Sequence, residues 1–277
     1  MSLLQQTKKL LHHYNISPKK RFGQNFIGSS ELLPRLASYA NLNRADTVLE
    51  VGAGLGFLTR VLAEKGQKVV AVEIDPMIFS ALTKELEGIR NVELVLGDVL
   101  KIAIPPFDKV VSIPPYQISS KLLFWLLKQS LECAVLVFQK EFAERLIAEV
   151  GSKDYGRLTV LAYYKVEVEL LEHVPKHMFY PQPKVDSVVM RLTPRKTKPF
   201  NARNEQVFAE LLQATFTQRN KKLRNVLMSY LTKKGFNEEG VKEIVNSLVF
   251  RDKRVRELAP EDFGAIANAL SQESLFW

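Results

Sequence analysis

The stretch Val48-Leu49-Glu50-Val51-Gly52-Ala53-Gly54-Leu55-Gly56 decides the fold. An apolar run ends there in three closely spaced glycines, and a helical pattern follows from Phe57 to Lys65. Missing side chains in a strand-to-helix turn let the backbone approach a bound ligand closely. The spacing G-x-G-x-G differs from the dinucleotide fingerprint G-x-G-x-x-G. The pattern therefore predicts a ligand-binding turn, with a tight connection that binds nothing as the alternative.

Short β-branched runs and helical patterns alternate on both sides of this turn. Helices of crossover length are predicted at 57–65, 76–86 and 119–129. The predicted parallel strands are 47–51, 68–72, 92–96, 109–112 and 134–138. Two further β-rich segments, 158–171 and 185–192, lack a full helix between them, which predicts at least one antiparallel pair at the edge of the sheet. The fold class expected is α/β.

The strand signal stops at the linker Pro194-Arg195-Lys196-Thr197-Lys198-Pro199. Helical spacing then predicts helices over 205–231, 238–248 and 260–270. We therefore expect two domains, residues 1–195 and a small all-helical domain at 196–277.

Composition limits the possible classes of protein. The 277 residues are 46% hydrophobic and 25% charged, as in a globular protein. Cys133 is the only cysteine, which excludes an intramolecular disulfide and a Cys-rich zinc site, and the four histidines show no metal-binding spacing. No apolar stretch approaches the roughly 18 residues of a membrane span, and no secretory signal is recognisable. We expect a cytoplasmic protein without a metal or a membrane partner.

The positive charge is concentrated at the two ends of the chain. Residues 1–30 contain five basic residues and no acid, residues 31–194 contain 19 basic and 20 acidic, and residues 195–277 contain 15 basic and 10 acidic. Such basic ends suit a phosphate backbone, whose counterions they displace. A solubilising surface is the alternative.

Acidic residues follow the next two strands after the glycine turn. Glu73 lies about twenty residues after the turn, where a carboxylate can accept hydrogen bonds from ribose hydroxyls, and Asp98 is placed to accept from an adenine amino group. Asp75, before Pro76, also suits a helix N-cap. No Lys or Arg lies between Glu50 and Phe57 to bind a pyrophosphate. These features favour S-adenosyl-L-methionine, whose sulfonium is positive, over a dinucleotide.

Short motifs are spread along the chain at 21–27 (RFGQNFI), 51–56 (VGAGLG), 73–75 (EID), 97–98 (GD), 115–120 (PYQISS), 139–143 (QKEFA), 155–158 (YGRL), 179–187 (FYPQPKVDS) and 216–224 (FTQRNKKLR). Together they resemble the motifs of the ribosomal RNA adenine dimethyltransferases of the small subunit. The segments beginning at Tyr155 and Phe179 resemble archaeal members.

The resemblance implies a Rossmann-like class I methyltransferase sheet and a set of site residues. Those implied for the methyl donor are Gln24, Asn25, Ile27, Gly52, Gly54, Glu73, Ile74, Asp98, Val99 and Ser112. Those implied for the target adenine are Ile113, Pro114, Pro115 and Tyr116, with Tyr116 stacking on a base turned out of its helix.

This sequence departs from the family at Ile113, where the resemblance leads us to expect Asn. Isoleucine has no acceptor for the amino protons of adenine. The carbonyls of Ile113 and Pro114, or the Ser112 hydroxyl, are the candidate replacements. We therefore expect an enzyme that is slower or whose site is arranged differently. If no other acceptor replaces the asparagine, the rate should fall by about a hundredfold.

The predicted substrate is small-subunit ribosomal RNA or a pre-30S-type particle, bound by a monomer. The reaction implied is dimethylation of N6 on two adjacent adenines near the 3′ end. The alternatives are a non-catalytic or weakly catalytic ribosome-assembly factor and an adenine methyltransferase for DNA or another RNA. The residues predicted to contact RNA are Lys19, Lys20, Arg21, Phe179, Pro181, Lys184, Arg219, Lys221, Lys222 and Arg224, with one of Phe179 and Tyr180 expected in the core.

Overall fold

The structure is a computed structural model that describes residues 1–272. The backbone divides into two compact units. The first unit contains residues 1–143 and 167–194, and the second contains residues 144–166 and the chain from Arg195 onward. The predicted end of the helical domain at residue 277 lies outside the described residues.

The strands form one large and one small sheet. In chain order they are β1 (Phe26–Ile27), β2 (Thr47–Val51), β3 (Lys68–Glu73), β4 (Val92–Leu96), β5 (Lys109–Ser112), β6 (Cys133–Gln139), β7 (Val166–Val174), β8 (Phe179–Tyr180) and β9 (Ser187–Pro194). The large sheet has the order β4-β3-β2-β5-β6-β9-β7, and β1 pairs with β8 in the small one. The glycine turn therefore follows a central strand, β2.

The five predicted parallel strands are confirmed. β2 pairs in parallel with β3 and with β5, β3 pairs with β4, and β5 pairs with β6. An antiparallel pair was predicted at the edge of the sheet from segments 158–171 and 185–192. In the structure β9 is antiparallel to β6, and β7 lies beside β9 at the edge. Since β2, β3 and β5 point the same way, their carboxyl ends meet at one edge of the sheet.

Helices cover the sheet of the first unit and form most of the second. In chain order they are α1 (Leu3–His13), α2 (Leu32–Tyr39), α3 (Phe57–Lys65), α4 (Pro76–Glu85), α5 (Ser119–Leu126), α6 (Lys140–Leu146), α7 (Arg157–Lys165), α8 (Glu205–Phe216), α9 (Leu223–Lys233), α10 (Glu238–Ser247) and α11 (Pro260–Gln272). The core of the first unit packs buried Val side chains of β2, β3 and β6 against buried Leu side chains of α2 and α3. Asp75 caps α4 by accepting the Met77 N–H at 3.1 Å, which confirms the predicted cap.

The structure corrects the predicted strand at 158–171. Residues Arg157–Lys165 form α7, and only β7 from Val166 is extended. Leu158 to Ala162 are all buried, so the segment lacks a polar face and has the apolar run typical of a buried strand. This helix belongs to the second unit, to which the chain returns at Arg195. The division into domains at 1–195 and 196–277 stays a prediction.

The structure also divides the predicted helix 205–231 into α8 and α9. Between them the backbone turns to pair with residues 251–256. The N–H of Leu223 donates to the Lys253 carbonyl at 2.8 Å, and the N–H of Val255 donates to the Lys221 carbonyl at 3.1 Å. These hydrogen bonds between distant segments replace those that would continue the helix.

Candidate functional site

Three adjoining cavities open at the carboxyl ends of β2, β3 and β5, and all three are lined by Gly52. Their volumes are about 470, 500 and 380 Å³, open solvent included. We call them the first, second and third cavities. The first is lined by Gln24, Asn25, Gly52, Gly54, Glu73, Ile74, Ile113, Pro114, Pro115 and Tyr116 among others. The fold therefore brings the predicted target residues and every predicted donor residue except Ser112 to these three cavities.

The backbone at Gly52 is tightly enclosed. Its φ is +80°, and a Cβ placed there would lie 3.0 Å from Cδ of Pro115. A side chain would therefore meet both steric strain and the wall of the cleft. The close approach explains why glycine occupies this turn.

Glu73 at the end of β3 lines the first cavity and is 5% exposed. Its Oε1 accepts the N–H groups of Ile74 and Asp75 at 2.9 Å, and its Oε2 accepts that of Gly54 at 3.0 Å. Burial raises the pKa of Glu73, and the three N–H donors oppose that shift. These donors fix the carboxylate at the cavity and leave one acceptor position of Oε2 beyond the three hydrogen bonds just given.

Asp98 and Val99 line the second cavity together with Ile74 and Gly97. The Asp98 carboxylate accepts the Leu100 N–H at 3.1 Å and pairs with Lys101 at 3.5 Å. Ile74 borders the first and second cavities.

The sequence analysis missed Glu50, which lines the third cavity beside Asn25 and Ile27. Glu50 is 2% exposed, and the Thr59 hydroxyl bonds to its Oε2 at 2.6 Å. Burial raises the pKa of Glu50 to about 8, while the hydrogen bond from Thr59 lowers it. This carboxyl is therefore largely protonated near neutral pH. The available signal was one acid in the otherwise apolar body of β2.

Tyr116 reaches the first cavity from a turn after β5. Its hydroxyl lies 2.6 Å from Oγ of Ser187, and its ring meets that of Phe179 edge-on at 6.2 Å. Burial raises the pKa of Tyr116 to about 12, so the phenol is neutral. The ring is thus contacted by two residues, and it is partly exposed where it lines the first cavity.

Ser112 does not line any of the three cavities. It is fully buried, donates to the Val51 carbonyl at 2.6 Å and accepts the Val51 N–H at 3.2 Å. The hydroxyl therefore joins β5 to β2, which argues against its predicted contact with the donor or the amine. Ile113 borders the first and third cavities and packs partly against the core.

The predicted RNA residues of the first unit divide into exposed and engaged side chains. Lys20, Arg21, Pro181 and Lys184 are exposed. Phe179 is 3% exposed, so its predicted contact with RNA is wrong. Its ring is held in the core beside Tyr116, as expected for one of the two aromatic residues.

Residues 219–222 of the basic segment form a turn between α8 and α9, and Leu223 and Arg224 begin α9. The Arg219 guanidinium donates to the carbonyls of Ser152 and Lys153 at 2.7 and 2.8 Å, so it braces the second unit. Lys222 and Arg224 pair with Asp252 at 3.6 and 2.8 Å. Lys221 is exposed.

Residues 15–272 match the protein family described as "Ribosomal RNA adenine dimethylase". The chain belongs to that family. Its α/β class I methyltransferase fold and its assignment as an rRNA adenine dimethyltransferase are thereby confirmed.

Relatives and solved structures agree with the family. The chain is 43% identical over 265 residues to a probable ribosomal RNA small subunit methyltransferase A of Methanosarcina acetivorans, covering 95% of this chain and 97% of that one. A relative with the same description from Thermococcus gammatolerans is 40% identical over 253 residues, covering 91% and 89%. A dimethyladenosine transferase from Plasmodium falciparum superposes with a TM-score of 0.77 at 30% identity, covering 90% and 98%. The 23S rRNA methyltransferase ErmE superposes with a TM-score of 0.63 at 31% identity, covering 89% and 100%.

Among residues 1–272, no helix combines the length and apolar character needed to cross a bilayer.

Proposed function

We propose that this chain transfers methyl groups from S-adenosyl-L-methionine to N6 of two adjacent adenines near the 3′ end of small-subunit ribosomal RNA, during ribosome biogenesis in the cytoplasm. The observation that carries the proposal is that Glu73 and Tyr116 line the same cavity. One end of the cavity suits a nucleoside donor, and the other suits a purine acceptor.

The residues of the cleft fit an adenosyl sulfonium. The bare backbone of Gly52 permits close approach, and the Glu73 carboxylate is held at the cavity by three N–H donors. The residues that line the first and third cavities include no Lys or Arg, so nothing there favours a pyrophosphate. When bound, S-adenosyl-L-methionine supplies an electrophilic methyl group.

The chain's own contribution is to hold the acceptor amine. Tyr116 offers a ring on which an extruded adenine stacks, a contact of roughly 1 to 3 kcal/mol. The carbonyls of Ile113 and Pro114 are our candidates for accepting the amino protons, since the Ser112 hydroxyl is engaged by Val51. Orientation beside the donor then supplies much of the acceleration.

The experiment is incubation of unmethylated small subunits with tritiated donor and mapping of the modified bases. We expect two adjacent N6,N6-dimethyladenines and at least a tenfold loss with Tyr116→Ala, given the worth of a stacking contact. Duplex DNA added as competitor should not reduce labelling. Labelling of DNA in preference to the particle would support the other nucleic-acid substrate.

A weakly catalytic assembly factor is the second candidate, and Ile113 is the observation that favours it. Ile113→Asn tests this alternative. Methylation that is unchanged would show that main-chain acceptors suffice. A rise of about a hundredfold would show that the side-chain acceptor was missing.

A further inference from the structure

A segment of the first unit lies against two sides of the cleft. Residues 19–25, which we call the strap, include Phe22, Gly23, Gln24 and Asn25, all of which line the first cavity. Phe22 also lines the second cavity. The strap is therefore part of the wall that a ligand in the cleft would touch.

One end of the strap is bound to Asp75, directly after β3. The Lys19 Nζ donates to the Asp75 carboxylate at 2.9 Å, and the Gln24 Nε2 donates to it at 3.0 Å. The Gln24 Oε1 in turn accepts the Lys19 N–H at 2.7 Å. The Asp75 side chain is fully buried, so these charge-assisted bonds are poorly screened by solvent.

The other side of the strap is bound to the turn after β5. The Gln117 Nε2 donates to the Lys20 carbonyl at 2.5 Å. A Cβ on Gly23 would lie 3.3 Å from Cγ of Gln117 and 3.4 Å from Cβ of Pro115, so the strap backbone packs closely against these two side chains. In the sheet, β2 lies between β3 and β5. The strap therefore crosses the carboxyl end of β2, over the glycine turn.

We infer that Asp75 is a positioning residue that fixes the strap across the donor cleft and thereby slows release of the methyl donor. The inference rests on the proposed function for the identity of the donor. It assigns Gln24 to the attachment of the strap, with its amide directed to Asp75. Lys19 has the same role, in place of the RNA contact predicted from the sequence.

Trypsin tests the attachment without any donor. Cleavage after Arg21, followed by mass spectrometry, should be about tenfold faster in Lys19→Met, because one charge-assisted hydrogen bond is lost. Lys9→Met removes the same charge from an exposed site on α1 and should cleave like the wild type. Lys19→Arg should restore most of the protection. Asp75→Asn keeps a capping oxygen for α4 but loses the negative charge. Its cleavage rate should equal that of Lys19→Met, and the double variant should be cleaved no faster than either single variant.

The second readout is release of tritiated donor after rapid dilution. Lys19→Met should raise the dissociation rate constant and the KM for the donor about tenfold, and leave kcat at saturating donor within about twofold. Equal cleavage in Lys19→Met, Lys9→Met and wild type would overturn the attachment, and an unchanged dissociation rate would overturn its effect on the donor. Wild-type protein that binds no donor would overturn the proposed function, whereas the cleavage comparison would still decide the attachment.

Discussion

Buried charged side chains lie at both ends of the central parallel strands, but their partners differ. At the amino ends, Lys109 of β5 pairs with Asp46 at 2.9 Å, and both side chains are 7% exposed. At the carboxyl ends, Glu73 is equally buried but is held by backbone N–H groups and faces a cavity. Neither Lys109 nor Asp46 lines any of the three cavities.

The difference shows that burial alone does not mark a functional carboxylate. When a buried charge is paired with another side chain, removing one partner leaves the other charge buried without compensation, which lowers the free energy of unfolding. A buried carboxylate held by backbone donors keeps lone pairs for a ligand. Changes at the amino end should therefore alter stability, and changes at the carboxyl end should alter binding.

The largest effect is expected at the amino end. Lys109→Met leaves Asp46 buried without its cation and should lower the free energy of unfolding by about 3 to 5 kcal/mol. Urea denaturation measures this loss, and the double variant with Asp46→Asn should recover much of it. Donor affinity of the folded protein should stay unchanged; a weakened affinity of the same size would erase the distinction between the two ends.

Glu73→Gln should have the next largest effect, on binding. The glutamine amide turns an N–H₂ group toward backbone N–H groups and cannot accept all three of their hydrogen bonds. The affinity for the methyl donor should therefore fall about a hundredfold. Calorimetric titration measures the Kd. Glu64→Gln on the exposed face of α3 is the matched control. Equal Kd values for the two variants would contradict the role of Glu73.

Glu50, which is buried at the third cavity, should make the free energy of unfolding depend on pH. Because the folded state raises its pKa from 4.5 to about 8, the stability it contributes is fully present below about pH 4.5 and is lost as pH rises through about 8. Relative to Glu50→Gln, the wild type should lose about 2 kcal/mol of unfolding free energy between about pH 6 and about pH 8. Parallel pH profiles for the two proteins would show that Glu50 does not titrate as described.

The smallest effect concerns the ring of Tyr116. Ser187→Ala removes the partner of its hydroxyl and should lower kcat/KM for the RNA about fivefold, with donor affinity unchanged. Tyr116→Phe should cause a similar loss, and the double variant should lose no more than either single one. A loss in donor affinity instead would place Ser187 on the donor side of the cleft.

The sequence predicted the elements whose patterns are local. Strands 47–51, 92–96 and 109–112 match their predicted bounds, because a buried parallel strand is a short apolar run between turn residues. The ends of β3 and β4 could likewise be placed, which located Glu73 and Asp98 at one edge of the sheet.

Contacts between distant segments could not be predicted. The pairing of residues 219–224 with 251–256 broke a continuous helical pattern, and α7 looked like a strand because it is buried on several sides. Lys19 and Gln24 looked like RNA and donor ligands, and only the fold shows that both reach Asp75, more than fifty residues later.

Calorimetric titration with S-adenosyl-L-methionine and, separately, with NAD tests the central claim most directly. A cleft with a bare glycine turn, a fixed carboxylate and no cation in the first and third cavities should bind the sulfonium compound at one site per chain and leave NAD unbound. Binding of NAD without binding of S-adenosyl-L-methionine would contradict it.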